Sequence, residues 1–246
     1  MDRLDFPPKL LAALQSAGRV TVLTGAGISA ESGIPTFRDS QTGLWARYDP
    51  HELATPDAFQ ATPQLVIDWY RWRRSLIMES KPNAGHHALV ALESKVNDFT
   101  LITQNVDGYH KIAGSKRIIE LHGNINRMRC AQEGALIEEW PEDELPHCPT
   151  CGSLLRPDVV WFGESLSSSA LQAAINASTH CDVFISVGTS GMVEPAASLP
   201  YEALRAGATL VEINPNPTPL TVYIPYYFAA PAGQALPELI QAAWPD

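Results

Sequence analysis

Gly25-Ala26-Gly27-Ile28-Ser29-Ala30 matches the pattern G-x-G-x-x-G/A directly after a β-branched run from Arg19 to Thr24. Small residues at a strand-to-helix turn let the backbone approach a pyrophosphate, whose charge then faces the N-terminal end of the helix. An ordinary glycine turn gives the same match, and the ribose-binding acid expected about 20 residues further on is not evident. Instead Glu31-Ser32-Gly33-Ile34-Pro35-Thr36-Phe37-Arg38-Asp39 follows, which reads as a loop folding over a ligand, with Arg38 placed to meet phosphate. Thr103-Gln104-Asn105-Val106-Asp107, Leu121-His122-Gly123-Asn124, Gly188-Thr189-Ser190-Gly191 and Asn214-Pro215-Asn216 each follow another candidate strand. One such cluster has a plain explanation, because Asn and Asp begin turns and His122 could be a hydrogen-bonded core histidine. Four of them, all on the side where α/β sheets hold ligands, point to a binding crevice.

The cysteines offer different chemistry. Cys148-Pro149-Thr150-Cys151-Gly152 is half of a zinc knuckle, two thiolates on a tight turn, but the other half reads Cys130-Ala131-Gln132-Glu133. Three thiolates remain where structural zinc takes four ligands. Glu133 or His147 could complete the shell, and an eroded site held by packing alone is the alternative. Cys181 precedes a buried strand and reads as a small core residue.

These residues need a scaffold. Strand candidates are Arg19–Thr24, Phe99–Thr103, Arg117–Leu121, Asp182–Val187 and Ala208–Ile213; helical stretches are Leu10–Gly18, Asn83–Lys95, Leu166–Thr179 and Pro195–Ala206. Strands alternating with helices imply an α/β fold with a doubly wound parallel sheet. Pro50 to Ser80, rich in aromatics and arginine, reads as a helical insertion, and Asn124 to Arg156 as a small module between strands. Ligand would sit in the cleft between the two parts.

Composition narrows the class. The 246 residues carry 17 Lys+Arg against 27 Asp+Glu, a formal charge of −10, which argues against broad binding to a nucleic-acid backbone. Hydrophobic residues at 45% suffice for a sizeable core. No apolar run reaches the roughly 18 residues a membrane span needs, and the first residues lack a signal-peptide core. Four clustered cysteines do not make a disulfide framework. A soluble, cytoplasmic protein is expected, with no nucleic-acid or membrane partner.

Gly25-Ala26-Gly27-Ile28-Ser29, Pro35-Thr36-Phe37-Arg38, Thr103-Gln104-Asn105-Val106-Asp107, Leu121-His122-Gly123, Phe162-Gly163-Glu164 and Gly188-Thr189-Ser190 together resemble the sirtuins, NAD-dependent protein-lysine deacylases. The resemblance runs from about Val20 to about Ala232. It implies a Rossmann-like lobe of about 1–35, 82–123 and 157–246. It also implies a smaller zinc-ribbon and helical lobe of about 36–81 and 124–156. His122 would be the general base, acting on a ribose hydroxyl of NAD after nicotinamide leaves, and an imidazole titrates in the right range for it. Asn105 would share the catalytic work by holding the ribose and the nicotinamide carboxamide together with Asp107. Gly25, Ala26, Gly27, Glu31, Thr36, Phe37, Arg38, Trp45, Gln104, Val106, Gly188, Thr189, Ser190, Asn214 and Ala232 would complete the NAD contacts. Attack of the acyl oxygen on the ribose would give nicotinamide, free lysine and O-acyl-ADP-ribose. Val160, Phe162 and Gly163 on one side and Val193 on the other would clamp the acyl-lysine peptide as an added strand.

Tyr70 and Arg73 lie three apart on one helix face. An arginine fork pairs with a carboxylate, and a nearby phenol adds a hydrogen bond. On spacing alone a solvated basic face explains Arg71, Arg73 and Arg74 equally well. The resemblance favours the sirtuin subclass that removes succinyl, malonyl and glutaryl groups, with Ala54 as its pocket-widening small residue, and implies deacetylation as well. Tyr109 stands where relatives usually have leucine. The alternatives on this scaffold are a mono-ADP-ribosyltransferase, a lipoamidase or a non-catalytic NAD sensor. Oligomeric state stays open, with a monomer compatible.

Overall fold

The computed structural model describes residues 3–34 and 49–245, without the side chains of Pro50 and His51. The described strands, in chain order, are β1 (Arg19–Thr24), β2 (Asp98–Thr103), β3 (Ile118–Glu120), β4 (Gly123–Cys130), β5 (Leu136–Ile137), β6 (Leu155–Val159), β7 (Val183–Val187), β8 (Thr209–Ile213) and β9 (Tyr226–Phe228). Six of them form one parallel sheet in the order β3-β2-β1-β7-β8-β9. β4 pairs antiparallel with both β5 and β6 in a second sheet. The large sheet is the doubly wound arrangement the sequence implies. Its order reverses at β1, which opens a crevice at the carboxyl ends of β1 and β7.

Side-chain alternation explains why the large sheet is covered on both faces. Val20 and Val22 of β1, Phe99 and Leu101 of β2, and Val183, Ile185 and Val187 of β7 share a core with helices α1 (Pro8–Ser16), α5 (Ala84–Lys95) and α9 (Ala232–Ala243). The intervening residues Leu23, Ile102 and Phe184 pack on the other face against α7 (Ser168–His180) and α8 (Leu199–Arg205). A third core joins the small sheet to the 50–80 stretch, which forms α2 (Pro50–Leu53), α3 (Pro56–Ala61) and α4 (Pro63–Glu79). Tyr109, the first residue of the short helix α6 (Tyr109–Ala113), belongs to that third core and fastens the insertion to the large sheet.

Several elements differ from expectation. Pro195–Ala206 is not one helix: a 3-10 turn over Ala196–Ser198 precedes α8. Pro200 has no N–H to give and fits only a first helical turn, so the α-helix starts beside it. Asn83 is a cap rather than a helical residue; its side chain accepts from Gly85 N at 2.9 Å while its own N–H donates to His86 Nδ1. β9 and α9 lie outside the elements read from the sequence. Three residues of strand are too few for a periodic signal; α9 keeps a regular apolar face of Ala235, Leu236, Leu239, Ile240 and Ala243, and Pro237 within it is a helix-breaking residue type. No described helix is long and apolar enough to cross a membrane.

Candidate active site

The crevice is built first by glycine. Gly25 N donates to Val187 O at 3.0 Å, and Gly27 N to Gly188 O at 2.9 Å, so the loop after β1 lies on the loop after β7. A Cβ on Gly27 would sit 2.6 Å from Gly188 Cα, and one on Gly188, whose φ is +61°, would sit 2.5 Å from Ile28 N. The glycine motif therefore serves loop-on-loop packing at the reversal point of the sheet. It opens a 3-10 helix over Ala26–Ser32 rather than the expected α-helix, and Gly33, at φ +79°, ends it. Glu31, in that turn, accepts from Gly233 N at 2.6 Å and ties the turn to the first residues of α9, where Ala232 is buried.

The loop after β2 folds back into the same crevice. Thr103 Oγ1 accepts from Asn105 N at 3.0 Å, and the Asn105 amide donates to Gly25 O at 3.0 Å and Ser29 Oγ at 3.3 Å. Ser29 donates to Asp107 Oδ2 at 2.7 Å, and Asp107 Oδ1 accepts from Tyr109 N at 2.9 Å. Burial raises the Asp107 carboxyl above its ordinary pKa, with those two donors opposing the rise. Val106 O accepts from Ile125 N of β4 at 2.8 Å, so the loop also grips the small sheet. Beneath the loop the His86 and His110 rings pack with centroids 5.0 Å apart and planes tilted by 53°. Burial, helped by the charge of His87, lowers the pKa of His86 to about 4, and burial, helped by the charge of His86, lowers that of His110 to about 3. Ser29, His86 and His110 are parts of this network that sequence reasoning did not single out. Ser29 stood inside the glycine motif; the histidines left only a helix-cap pattern.

His122 follows β3. Its Nδ1 lies 2.9 Å from Gln104 O, and since a carbonyl only accepts, Nδ1 carries the proton. Nε2 is then the free base. Burial lowers the pKa of the ring, with the Gln104 carbonyl partly opposing, so the imidazole is neutral at neutral pH. Its own carbonyl accepts from Val160 N at 2.9 Å, which couples it to the end of β6. On the far side of the crevice Asn214 Nδ2 donates to Thr189 O at 2.9 Å, and Thr189 Oγ1 accepts from Gly191 N at 3.1 Å, with Ser190 partly buried between them.

A second group of side chains gathers on and around α4. Ala54 is buried, and its carbonyl accepts from Phe162 N at 2.9 Å. Tyr70 is fully enclosed and accepts from Trp161 Nε1 at 2.9 Å, while the Arg73 guanidinium lies 5.1 Å from the Trp69 ring centroid. Burial raises the Tyr70 phenol pKa and lowers that of Arg73, each opposed by the other side chain. Tyr70 is thus enclosed, while Arg73, like Arg71 and Arg74, is half-buried. Phe162, Gly163 and Val193 are exposed and Val160 partly so. Thr36, Phe37, Arg38 and Trp45 lie outside the described residues.

The small sheet carries the metal-type cluster. The ligand atoms of Cys130, Glu133, Cys148 and Cys151 all lie within 4.8 Å of one another, and Cys130 Sγ is 3.4 Å from Cys151 Sγ. The Cys148 thiol is drawn down to about 7, chiefly by the N–H groups of Cys151 and Thr150. His147 is outside the cluster: it is exposed and sits in a β-bridge with Leu154. Side chains alternate across such a bridge, so Cys148 facing the cluster turns His147 away. Three thiolates and a carboxylate fit tetrahedral zinc, which would brace the module rather than take part in chemistry. Purified protein is expected to hold about one zinc per chain by metal analysis. Glu133→Ala should lower that occupancy under mild chelation, whereas zinc-free protein of unchanged thermal stability would sink the assignment.

The sequence profile of the Sir2 family matches residues 25–195. The chain belongs to the Sir2 family. Among its relatives is the protein named NAD-dependent protein deacylase 1 of Pseudomonas aeruginosa, 47% identical over 242 residues, spanning 94% of this chain and 97% of that one. A solved Sir2 homologue–NAD complex superposes with a TM-score of 0.91 at 43% identity, covering 99% of this chain and 96% of that chain. A Sir2 complex with deacetylated p53 peptide and 3′-O-acetyl ADP ribose gives a TM-score of 0.81 at 33% identity, covering 95% and 97%. In this Sir2 chain the crevice and the cysteine cluster thus occupy a fold shared along nearly its whole length.

Proposed function

We propose that this chain is an NAD-dependent protein-lysine deacylase that removes succinyl and malonyl groups as well as acetyl groups, releasing nicotinamide and O-acyl-ADP-ribose. NAD is a co-substrate that supplies the ribose carbon to which the acyl oxygen becomes bonded. The names borne by the relatives, and a neighbour holding acetyl ADP ribose beside a deacetylated peptide, support the reaction class. On the same reading the enzyme is cytoplasmic and has a Rossmann-like lobe (about 1–35, 82–123, 157–246) and a small lobe (about 36–81, 124–156); its free cysteines suit a reducing compartment.

The residues have separate tasks. Gly25, Gly27 and Gly188 let the backbone close on the pyrophosphate, and Thr189, Ser190 and Asn214 border its far side. Asn105 and Asp107, fixed by Ser29 and by Tyr109 N, hold the ribose and the carboxamide. His122 takes the ribose proton at Nε2, because Nδ1 is committed to Gln104 O. Exposed Phe162, Gly163 and Val193 offer backbone to a peptide strand with little demand on its sequence.

One observation carries the acyl preference: half-buried Arg73 follows Tyr70 by one helical turn on α4, and Tyr70 shares a buried cluster with the small residue Ala54. A desolvated guanidinium gains most from a carboxylate partner. Arg73→Met is therefore expected to lower kcat/KM for a succinyl-lysine peptide by about 30- to 100-fold, the worth of a charge-assisted pair. Loss for the acetyl-lysine peptide should stay under about threefold, since no carboxylate is there to pair. Equal loss on both substrates would refute the assigned role.

A further inference from the structure

Trp161 links two observations that the acyl-group reading leaves unused. Its indole N–H lies 2.9 Å from the Tyr70 hydroxyl, and both rings are buried. Indole nitrogen is a donor only, so at this contact the phenol oxygen must accept. The phenol's own O–H has no acceptor among the described residues. A buried donor left unspent is costly, and an arriving acceptor relieves that cost.

Trp161 is itself held on three sides. The Arg156 guanidinium lies over its ring at 3.4 Å, and Phe59 packs against it at 5.3 Å between centroids. Arg156 donates to both Glu164 oxygens, at 2.5 and 2.8 Å, and to Val159 O at 2.6 Å. Glu164 also accepts from Trp161 N at 2.8 Å, which closes a ring of contacts around the tryptophan.

We propose that Trp161 is a positioning residue for acyl selection: by occupying the phenol oxygen as its donor, it turns the Tyr70 O–H toward the carboxylate of an acidic acyl chain. The proposal rests on the reading of Tyr70 and Arg73 as the acyl-recognition pair. Arg156 and Glu164 serve by keeping the indole in place, and Trp161 acts through Tyr70 without touching the substrate carboxylate.

The test compares Trp161→Phe, Tyr70→Phe and the double variant on succinyl- and acetyl-lysine peptides. Trp161→Phe keeps an aromatic face for Arg156 and removes the N–H. KM for the succinyl peptide should rise about 5- to 10-fold with kcat within twofold, the scale of one hydrogen bond to a charged group. KM for the acetyl peptide should stay within twofold, and the double variant should be no worse on succinyl peptide than Tyr70→Phe. An equal rise for both peptides, or additive losses in the double variant, would overturn the proposal. If Arg73→Met loses both activities equally, the acyl-pair reading itself has failed. If Arg73→Met is selective and Trp161→Phe is not, only the role of Trp161 falls. Should Trp161→Phe not fold, 3-benzothienylalanine at position 161 keeps the bicyclic ring without the N–H, and the same outcomes decide.

Discussion

Replacing His122 with alanine is expected to lower kcat for deacylation about 10²- to 10⁴-fold, the range of a positioned general base. NAD affinity, followed by calorimetry, should change only a few-fold, because among the described residues the imidazole bonds to the Gln104 carbonyl rather than to the glycine loops. The wild-type pH profile carries the same signature. The base is active when neutral, so activity is present above its pKa and lost as pH falls through it. Burial lowers that pKa, which moves the acidic limb of kcat/KM below the roughly 6.5 of an exposed histidine. An acidic limb above that value would mean that a neighbouring anion, not burial, controls the ring. The nearest fixed partner is a neutral carbonyl, which makes the direction a specific commitment.

Gly188→Ala should be the most damaging single methyl where the loops after β1 and β7 meet. The position has φ +61°, and the added carbon would meet Ile28 N at 2.5 Å and Gly27 C at 2.7 Å, all backbone. Left-handed strain and a clash that no side chain can relieve together cost about 2–5 kcal/mol. For a chain of this size that corresponds to a fall in Tm of roughly 5–15 °C, with NAD affinity lost more than tenfold, because the two loops would part at the proposed pyrophosphate site. Gly207→Ala is the control: its φ is +91°, yet nothing lies within 4 Å of the added carbon, so only the smaller strain applies. Equal Tm shifts for the two variants, measured by thermal unfolding, would show that the loop contact is not tight.

How much of this was legible in the sequence depends on the range of each interaction. The strands from Arg19, Asp98, Val183 and Thr209 were readable because burial on both sheet faces leaves continuous apolar runs, and the polar clusters after them marked the binding edge. β9 was too short to register, and Pro237 obscured α9. The contacts of Ser29 with Asp107 and of Trp161 with Tyr70 span 78 and 91 residues of chain, and no local pattern records them. The sequence left Glu133 and His147 equal as fourth metal donors. Strand-like alternation at the His147–Leu154 bridge separates them, which is a property of the folded turn rather than of spacing. Tyr109, odd in sequence, has a structural use: its hydroxyl donates to Ile77 O at 2.7 Å while its N–H holds Asp107, joining α4 to the loop after β2.

The central claim, coupled consumption of NAD and acyl-lysine, is tested most directly by following nicotinamide release from NAD with the purified chain and a panel of acetyl-, succinyl- and malonyl-lysine peptides. Release is expected only when an acyl-lysine peptide is present, in equal amount to deacylated peptide and to O-acyl-ADP-ribose found by mass spectrometry. No release with any acyl-lysine, or transfer of labelled ADP-ribose onto protein in its place, would contradict it.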